Sequence, residues 1–217
     1  MAGRRLFPNG GHTVIQFAST EIFVAIRAIY VNMTDINDRR QPIPMDAADV
    51  TEDPEEQARL FELIELMFFA YRDFTSDPDA ILNQLGFGRA HHRIIHFVNR
   101  NPGLRVADLL DILKITKQSL GRVLKQLVDE GYIRQQTGHS DRRERLLYPT
   151  ARGRDLAVRL ARPQFRRFSE AISGRDPEEA AAARRFLMNL IDPAERARVA
   201  RILQGGQGTG ETGDDAA

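Results

Sequence analysis

Cysteine is absent from the 217 residues, which excludes disulfides, thiolate nucleophiles and thiol redox sensing. No uninterrupted apolar run reaches the ~18–20 residues that a membrane-spanning helix requires. The most apolar stretch, Ile22 to Val31, is broken by Arg27 and preceded by Glu21. It is also too far from the terminus, and too poorly flanked, for a signal peptide. A soluble, cytoplasmic protein is the expectation. Catalytic signatures are missing as well: there is no phosphate-binding glycine loop, no Gly-x-Ser-x-Gly and no clustered set of metal ligands. Neither an enzyme nor a cofactor nor a resident metal is expected.

What is present is ordinary in amount and uneven in placement. An apolar fraction of 42% suffices for a core, and 217 residues suit one domain with appendages. The net charge is only +1, yet Asp46–Asp79 holds eleven acids against two arginines, and Lys114–Arg167 holds fourteen bases against five acids. Two solvated surfaces of opposite sign would account for this. The basic block, however, coincides with the stretch best suited to reading a duplex, which favours a nucleic-acid footprint.

That stretch is Arg105–Thr150. A short apolar-periodic helix carries Val106, Leu109, Leu110 and Leu113. Lys114-Ile115 connects it to a second helix, for which Thr116 is a good N-cap. In the second helix Leu120, Val123, Leu124, Leu127 and Val128 form one stripe. Lys117, Gln118, Ser119, Arg122 and Lys125 occupy the other side, free of acid until Asp129. One face packs and the other can meet bases and phosphates, as a helix-turn-helix requires. Gly131 stops the helix, because glycine takes the left-handed C′ conformation at little cost. Tyr132-Ile133-Arg134 begins a strand and Arg145–Tyr148 returns. The polar tip, Thr137–Arg143, includes His139, Ser140, Asp141 and Arg142. A hairpin so placed is a wing, and a basic tip can reach a minor groove or flanking phosphates.

The run from Ile115 to Arg154, with Asp141-x-Arg143 in the hairpin followed by Thr150-x-x-Gly153, resembles the core of MarR-type winged helix-turn-helix regulators, including their PetP-like branch. The resemblance extends from about Asp53 to about Leu203. Gly121 departs from it where the family commonly has Ser or Ala, and so does Pro149, where an aliphatic residue is usual. The resemblance implies dimerisation through the N- and C-terminal helices, and an effector crevice between those helices and the reading head.

Outside this core, residues 1–53 hold a short helical pattern (Ile22, Ile26, Ile29, capped by Ser19 or Thr20) and an extended Arg39–Pro44 linker. Three readings stand side by side: a dimer-embracing extension, a disordered leader, or translation from upstream of the true start, with Met33 or Met45 as the alternatives. Asp53-Pro54-Glu55-Glu56 then opens a helix to about Phe74, and the same cap idiom recurs at Asp176 and Asp192. Asp77-Pro78-Asp79 is expected to start a separate short turn, ended by Gly86-Phe87-Gly88. A helix from Arg89 to Asn99 carries His91, His92 and His96. His92 and His96 have metal-compatible i, i+4 spacing, but no third ligand follows locally. Polar or core-edge histidines under the reading head are the plain reading of all three, and lining a pocket at the junction with the first helix is preferred to binding a metal. Thr150 caps a long helix in which Pro163 should cause a kink or break. Helices Pro177–Ile191 and Pro193–Leu203 follow, and the Gly-rich acidic tail to Ala217 reads as disordered.

The expected fold is therefore mainly α: a winged helix-turn-helix core with a small β-hairpin wing, flanked by N- and C-terminal dimerisation helices. Its parts are an extension at 1–53, a domain at 54–203 and a tail at 204–217. The reading head spans about 88–150, and the dimerisation helices are 54–75 and 150–203. The expected function is that of a homodimeric, sequence-specific regulator binding double-stranded DNA, with a possible small-molecule effector and no membrane. Gln118, Ser119 and Arg122 would read bases, while Thr116, Lys117 and Lys125 hold phosphates. Arg143 would enter a minor groove, oriented by Asp141, with Arg142 and Arg145 adding charge. A winged-helix scaffold for protein–protein contact, with no specific operator, is the alternative.

Overall fold

The computed structural model describes residues 53–138 and 141–205. Expectations about the segment before Asp53, about His139 and Ser140, and about the tail beyond Gly205 lie outside the described residues. Helix α1 spans Pro54–Asn83 and α2 spans Arg89–Arg100. A two-residue strand β1 (Leu104–Arg105) precedes α3 (Val106–Leu113) and α4 (Lys117–Asp129). Strands β2 (Ile133–Thr137) and β3 (Arg145–Pro149) lead to α5 (Ala151–Ile172), α6 (Pro177–Asn189) and α7 (Pro193–Gly205). The sheet is antiparallel in the order β1-β3-β2, with Leu104 opposite Leu147 and Gln135 opposite the same residue on the other side.

The core lies beneath the sheet and joins α2, α3, α4 and the first half of α5. Leu109, Leu120, Leu127, Leu147, Leu156 and Leu160 are almost wholly excluded from solvent. Burying each such side chain contributes roughly 1.5–3 kcal/mol, so the reading head holds itself together. The capping idiom appears as read: Asp53 accepts from Glu55 N at 3.0 Å and Asp176 from Glu178 N at 2.8 Å. At the end of α4, Tyr132 N donates to Leu127 O and Gly131 N to Val128 O, with Gly131 at φ +74. These paired bonds form a Schellman motif, for which the glycine was needed.

Thr150-x-x-Gly153 has an equally concrete cause. The Thr150 hydroxyl accepts from Gly153 N at 3.0 Å and donates to Gly131 O at 2.7 Å. Thr150 N donates to Tyr132 O. One residue thus caps α5, closes the hairpin and ties both to the end of α4.

One local expectation is corrected, a second is narrowed, and one element is new. The turn at Asp77-Pro78-Asp79 is no separate element, since α1 runs through Pro78 to Asn83. Proline removes the bond to the Phe74 carbonyl, and that carbonyl instead receives Gln164 Nε2 of α5 at a long 3.5 Å. Thr75 and Ser76 also bond back to main-chain carbonyls, at 2.9 Å each. Pro163 does not break α5, which continues to Ile172. Strand β1 was not foreseen; it places the hairpin's return strand in the centre of the sheet. There, Pro149 costs no ladder bond on the β1 side, because β1 pairs only with Leu146 and Leu147.

Candidate nucleic-acid interface

The second helix of the unit, α4, is oriented as its sequence pattern requires. Leu120, Val123, Leu124 and Leu127 are buried, whereas Lys117, Gln118, Arg122 and Lys125 are exposed. Lys117, Gln118 and Arg122 make no side-chain hydrogen bond or ion pair among the described residues. Lys125 pairs with Asp129 one turn on, at a site open to solvent, so that pair is exchanged at little cost. Thr116 Oγ1 accepts from Ser119 N at 3.0 Å and donates to Ser119 Oγ at 2.9 Å. Both hydroxyls are therefore engaged in starting the helix, and Ser119 is half-buried. The preceding turn is tight: Lys114 adopts left-handed φ +53, and its Nζ meets Glu195 Oε1 of α7 at 3.2 Å.

The wing is held by main-chain bonds, the Asp141 carboxylate and two arginines. Asp141 Oδ1 accepts from Arg143 N at 2.8 Å. Asp141 thus orients the backbone of the tip, rather than the Arg143 guanidinium. The guanidinium groups of Arg142 and Arg143 are exposed and unpaired among the described residues. Arg145 donates to Thr137 Oγ1 and to the Arg142 carbonyl, both at 3.2 Å, stapling the hairpin across. A further residue escaped the sequence reading. Arg105 of β1 forks onto both oxygens of Asp108 at 2.7 Å and reaches Glu144 Oε1 at 3.1 Å. It fixes the wing base to α3 and offsets an acid beside the basic tip. Only a pairing between β1 and β3 brings these groups together, and two residues carry no periodicity to reveal it.

The three histidines separate. His92 and His96 line a crevice of about 220 Å³ between α1, α2 and α5, with Tyr71, Phe74, Arg89 and Gln164. Burial pushes the His92 imidazole down to about 4, with His96 and Arg93 acting the same way and Asp79 opposing. His96, exposed at its outer edge, is also held below its ordinary value, by packing and then by Arg100. His91 faces the other way. It is buried, stacks on Phe87 at 4.5 Å, and takes Gly88 N on Nδ1 at 3.1 Å. Nε2 therefore carries the hydrogen directed at Gln126 Oε1, 3.0 Å away. His91 joins α2 to α4 and does not line the crevice. It stands one turn from Ile94 and Ile95 and two from Val98, so its place on the apolar stripe was readable. No group of three or more metal-binding side chains occurs among the described residues.

A three-helix head, an N-capped second helix with a cationic outer face and a basic hairpin beside it define a winged helix-turn-helix protein. A model of the MarR family matches residues 85–144. The HTH-type transcriptional regulator PetP of Rhodobacter capsulatus is 49% identical over 133 residues, covering 61% of this chain and 80% of the relative. The chain belongs to the MarR family and is a transcriptional regulator, not an enzyme. Among solved structures, a MarR family regulator from Silicibacter pomeroyi aligns with TM-score 0.53 at 20% identity, over 64% of this chain and 97% of that one. A second MarR family regulator aligns equally well, at 18% identity over 68% of this chain and 96% of that one. These two alignments bear on the fold. Among the described residues no helix is long and apolar enough to cross a membrane.

Proposed function

We propose that the protein acts as a homodimer on specific duplex sites, with α4 in the major groove and the wing at the adjoining minor groove. The observation that carries this reading is the outer face of α4: Lys117, Gln118 and Arg122 stand exposed and unpaired above a leucine–valine stripe buried in the core. Arg122 suits bidentate pairing with guanine and Gln118 with adenine, with Ser119 beside them. Lys117 and Lys125 hold phosphates, and the helix start at Thr116 faces one. Arg143 enters the minor groove from a tip shaped by Asp141, while Arg142 and Arg145 add charge. On this reading residues 88–150 form the reading head.

Dimerisation follows from what α1 leaves uncovered. Leu60, Phe61, Leu63, Ile64, Leu66, Met67, Phe68 and Phe69 are between 39% and 63% exposed and lie on every side of the helix. Phe165, Phe168 and Ile172 of α5, Phe186 and Leu187 of α6, and Leu190 just after it are open as well. Such continuous apolar surface marks an interface. Helices 54–75 and 150–203 of a twofold partner, interleaved rather than laid along one seam, would cover it and set two heads about one duplex turn apart. The crevice at His92 and His96 is the place we assign to a small-molecule effector.

Selection of bound sequences from a random duplex pool, with the mass of the complex measured alongside, tests this directly. A twofold-symmetric consensus bound by two chains is expected. Binding with no sequence preference, or by a single chain, would refute it.

A further inference from the structure

Of the polar side chains among the described residues, only Thr75 and His91 are buried. Thr75 bonds back within its own helix, whereas His91 bonds across to α4. Gly88 N can only donate, so His91 Nδ1 accepts from it and the proton sits on Nε2, directed at Gln126 Oε1. Gln126 Nε2 donates in turn to Glu130 Oε1 at 2.9 Å. Donors and acceptors run in one sense from the start of α2 to the end of α4, and each bond polarises the next. Phe87 keeps the imidazole in plane, with the two rings 5° from parallel, and is itself set edge-on to Tyr132 at 5.3 Å. An apolar side chain of that size would fill the space with no buried polar group to satisfy. What the bond adds is direction.

That direction bears on α4 in a definite way. Gln118, Arg122, Gln126 and Glu130 follow one another at four-residue steps and form a single ridge. Each step advances about 40° around the axis. The ridge therefore starts exposed, at Gln118 and Arg122, and turns inward to half-buried Gln126, where His91 meets it. Leu120, Val123, Leu124 and Leu127 decide which side of α4 is buried, but apolar contact is non-directional. A roll of ~10° would carry a side chain about 6 Å from the axis through roughly 1 Å. A binding constellation tolerates about half that displacement.

We propose that His91 is a positioning residue for sequence reading: through Gln126 it fixes the roll of α4, and with it the register of Gln118 and Arg122 against the base edges. The inference rests on the assignment of α4 to the major groove. His91 itself touches no nucleic acid. It acts on selectivity between sequences, while general affinity for a duplex stays with the lysines and the wing.

Two full-length variants test it: His91→Phe, which keeps the stack on Phe87 but neither bond, and Gln126→Met, which removes the link from the side of α4. Each is measured for thermal unfolding and for binding to random duplex and to the duplex selected by the wild-type protein. The ratio of the two affinities is expected to fall on the order of tenfold, as one good hydrogen bond is lost. Affinity for random duplex and its salt dependence should not change. The double variant should lose no more selectivity than either single one. His91→Gln should recover it, because glutamine at the third helical position can accept from the N-cap N–H and still donate to Gln126. A wild-type ratio in Gln126→Met, losses that add in the double variant, or an equal loss on both duplexes would overturn the role of His91. Should His91→Phe fail to fold, Gln126→Met and His91→Gln decide. Arg122→Ala is the control. If it keeps full selectivity, or if the wild type selects no sequence, the assignment of α4 itself has failed; if it loses selectivity while His91→Phe and Gln126→Met keep it, only the present inference falls.

Discussion

A β carbon at Gly153 would stand 2.0 Å from the carbonyl oxygen of Tyr132. The first turn of α5 thus rests directly on the backbone leaving α4, and Thr150 bonds both sides of the contact. The obstructing atom is main chain, so it cannot rotate away. Gly153→Ala should lower unfolding free energy by ~1–3 kcal/mol or more, as overpacking does. Denaturant titration of the variant reads this, and an unchanged midpoint would show that α5 slides without cost.

Arg122→Ala should cost ~1–3 kcal/mol in binding the selected duplex and relax preference at one base position. Competition between selected and random duplex distinguishes the roles. An equal loss on both would make Arg122 a phosphate contact instead of a base reader.

Arg143→Ala should weaken binding and reduce the slope of log affinity against log salt by about one counterion. The measurement is a salt titration on the selected duplex. A slope identical to wild type would remove the wing tip from the contacts.

His92 gives the fold a pH dependence of definite sign. Its folded pKa is pushed to about 4 from an ordinary 6.5, so the unfolded chain binds the proton first as pH falls. Its contribution is complete above about pH 6.5 and is lost progressively toward about 4. His96 shifts the same way. His92→Gln should flatten the fall in stability between those values, as followed by denaturation at several pH values. A slope unchanged by the substitution would place the titrating group elsewhere.

Much of this architecture was legible because it is enforced locally. The cap at Thr116, the buried stripe of α4 and the stop at Gly131 each depend on residues within one or two turns. Continuity of α1 was not legible. Sequence rules count the bond that Pro78 removes, but not Gln164, which comes from 90 residues away to the stranded carbonyl. Strand β1 is likewise decided by tertiary pairing alone. In α2 the i, i+4 spacing of His92 and His96 was informative. The phase of the apolar stripe, which separates His91 from both, was the stronger signal. The exposed face of α4 was readable at Lys117, Gln118, Arg122 and Lys125 but not at the half-buried Ser119, and the wing's dependence on Arg105 required the sheet.

The fastening of the wing base is electrostatic and open to water. Arg105, half-exposed, holds Glu144 and Asp108 together, and such pairs loosen as mobile ions screen them. Rising ionic strength therefore acts twice on this molecule: it competes at the duplex, and it slackens the joint that aims the hairpin. Affinity should consequently fall more steeply at high salt than phosphate neutralisation alone dictates, bending an otherwise straight double-logarithmic plot downward.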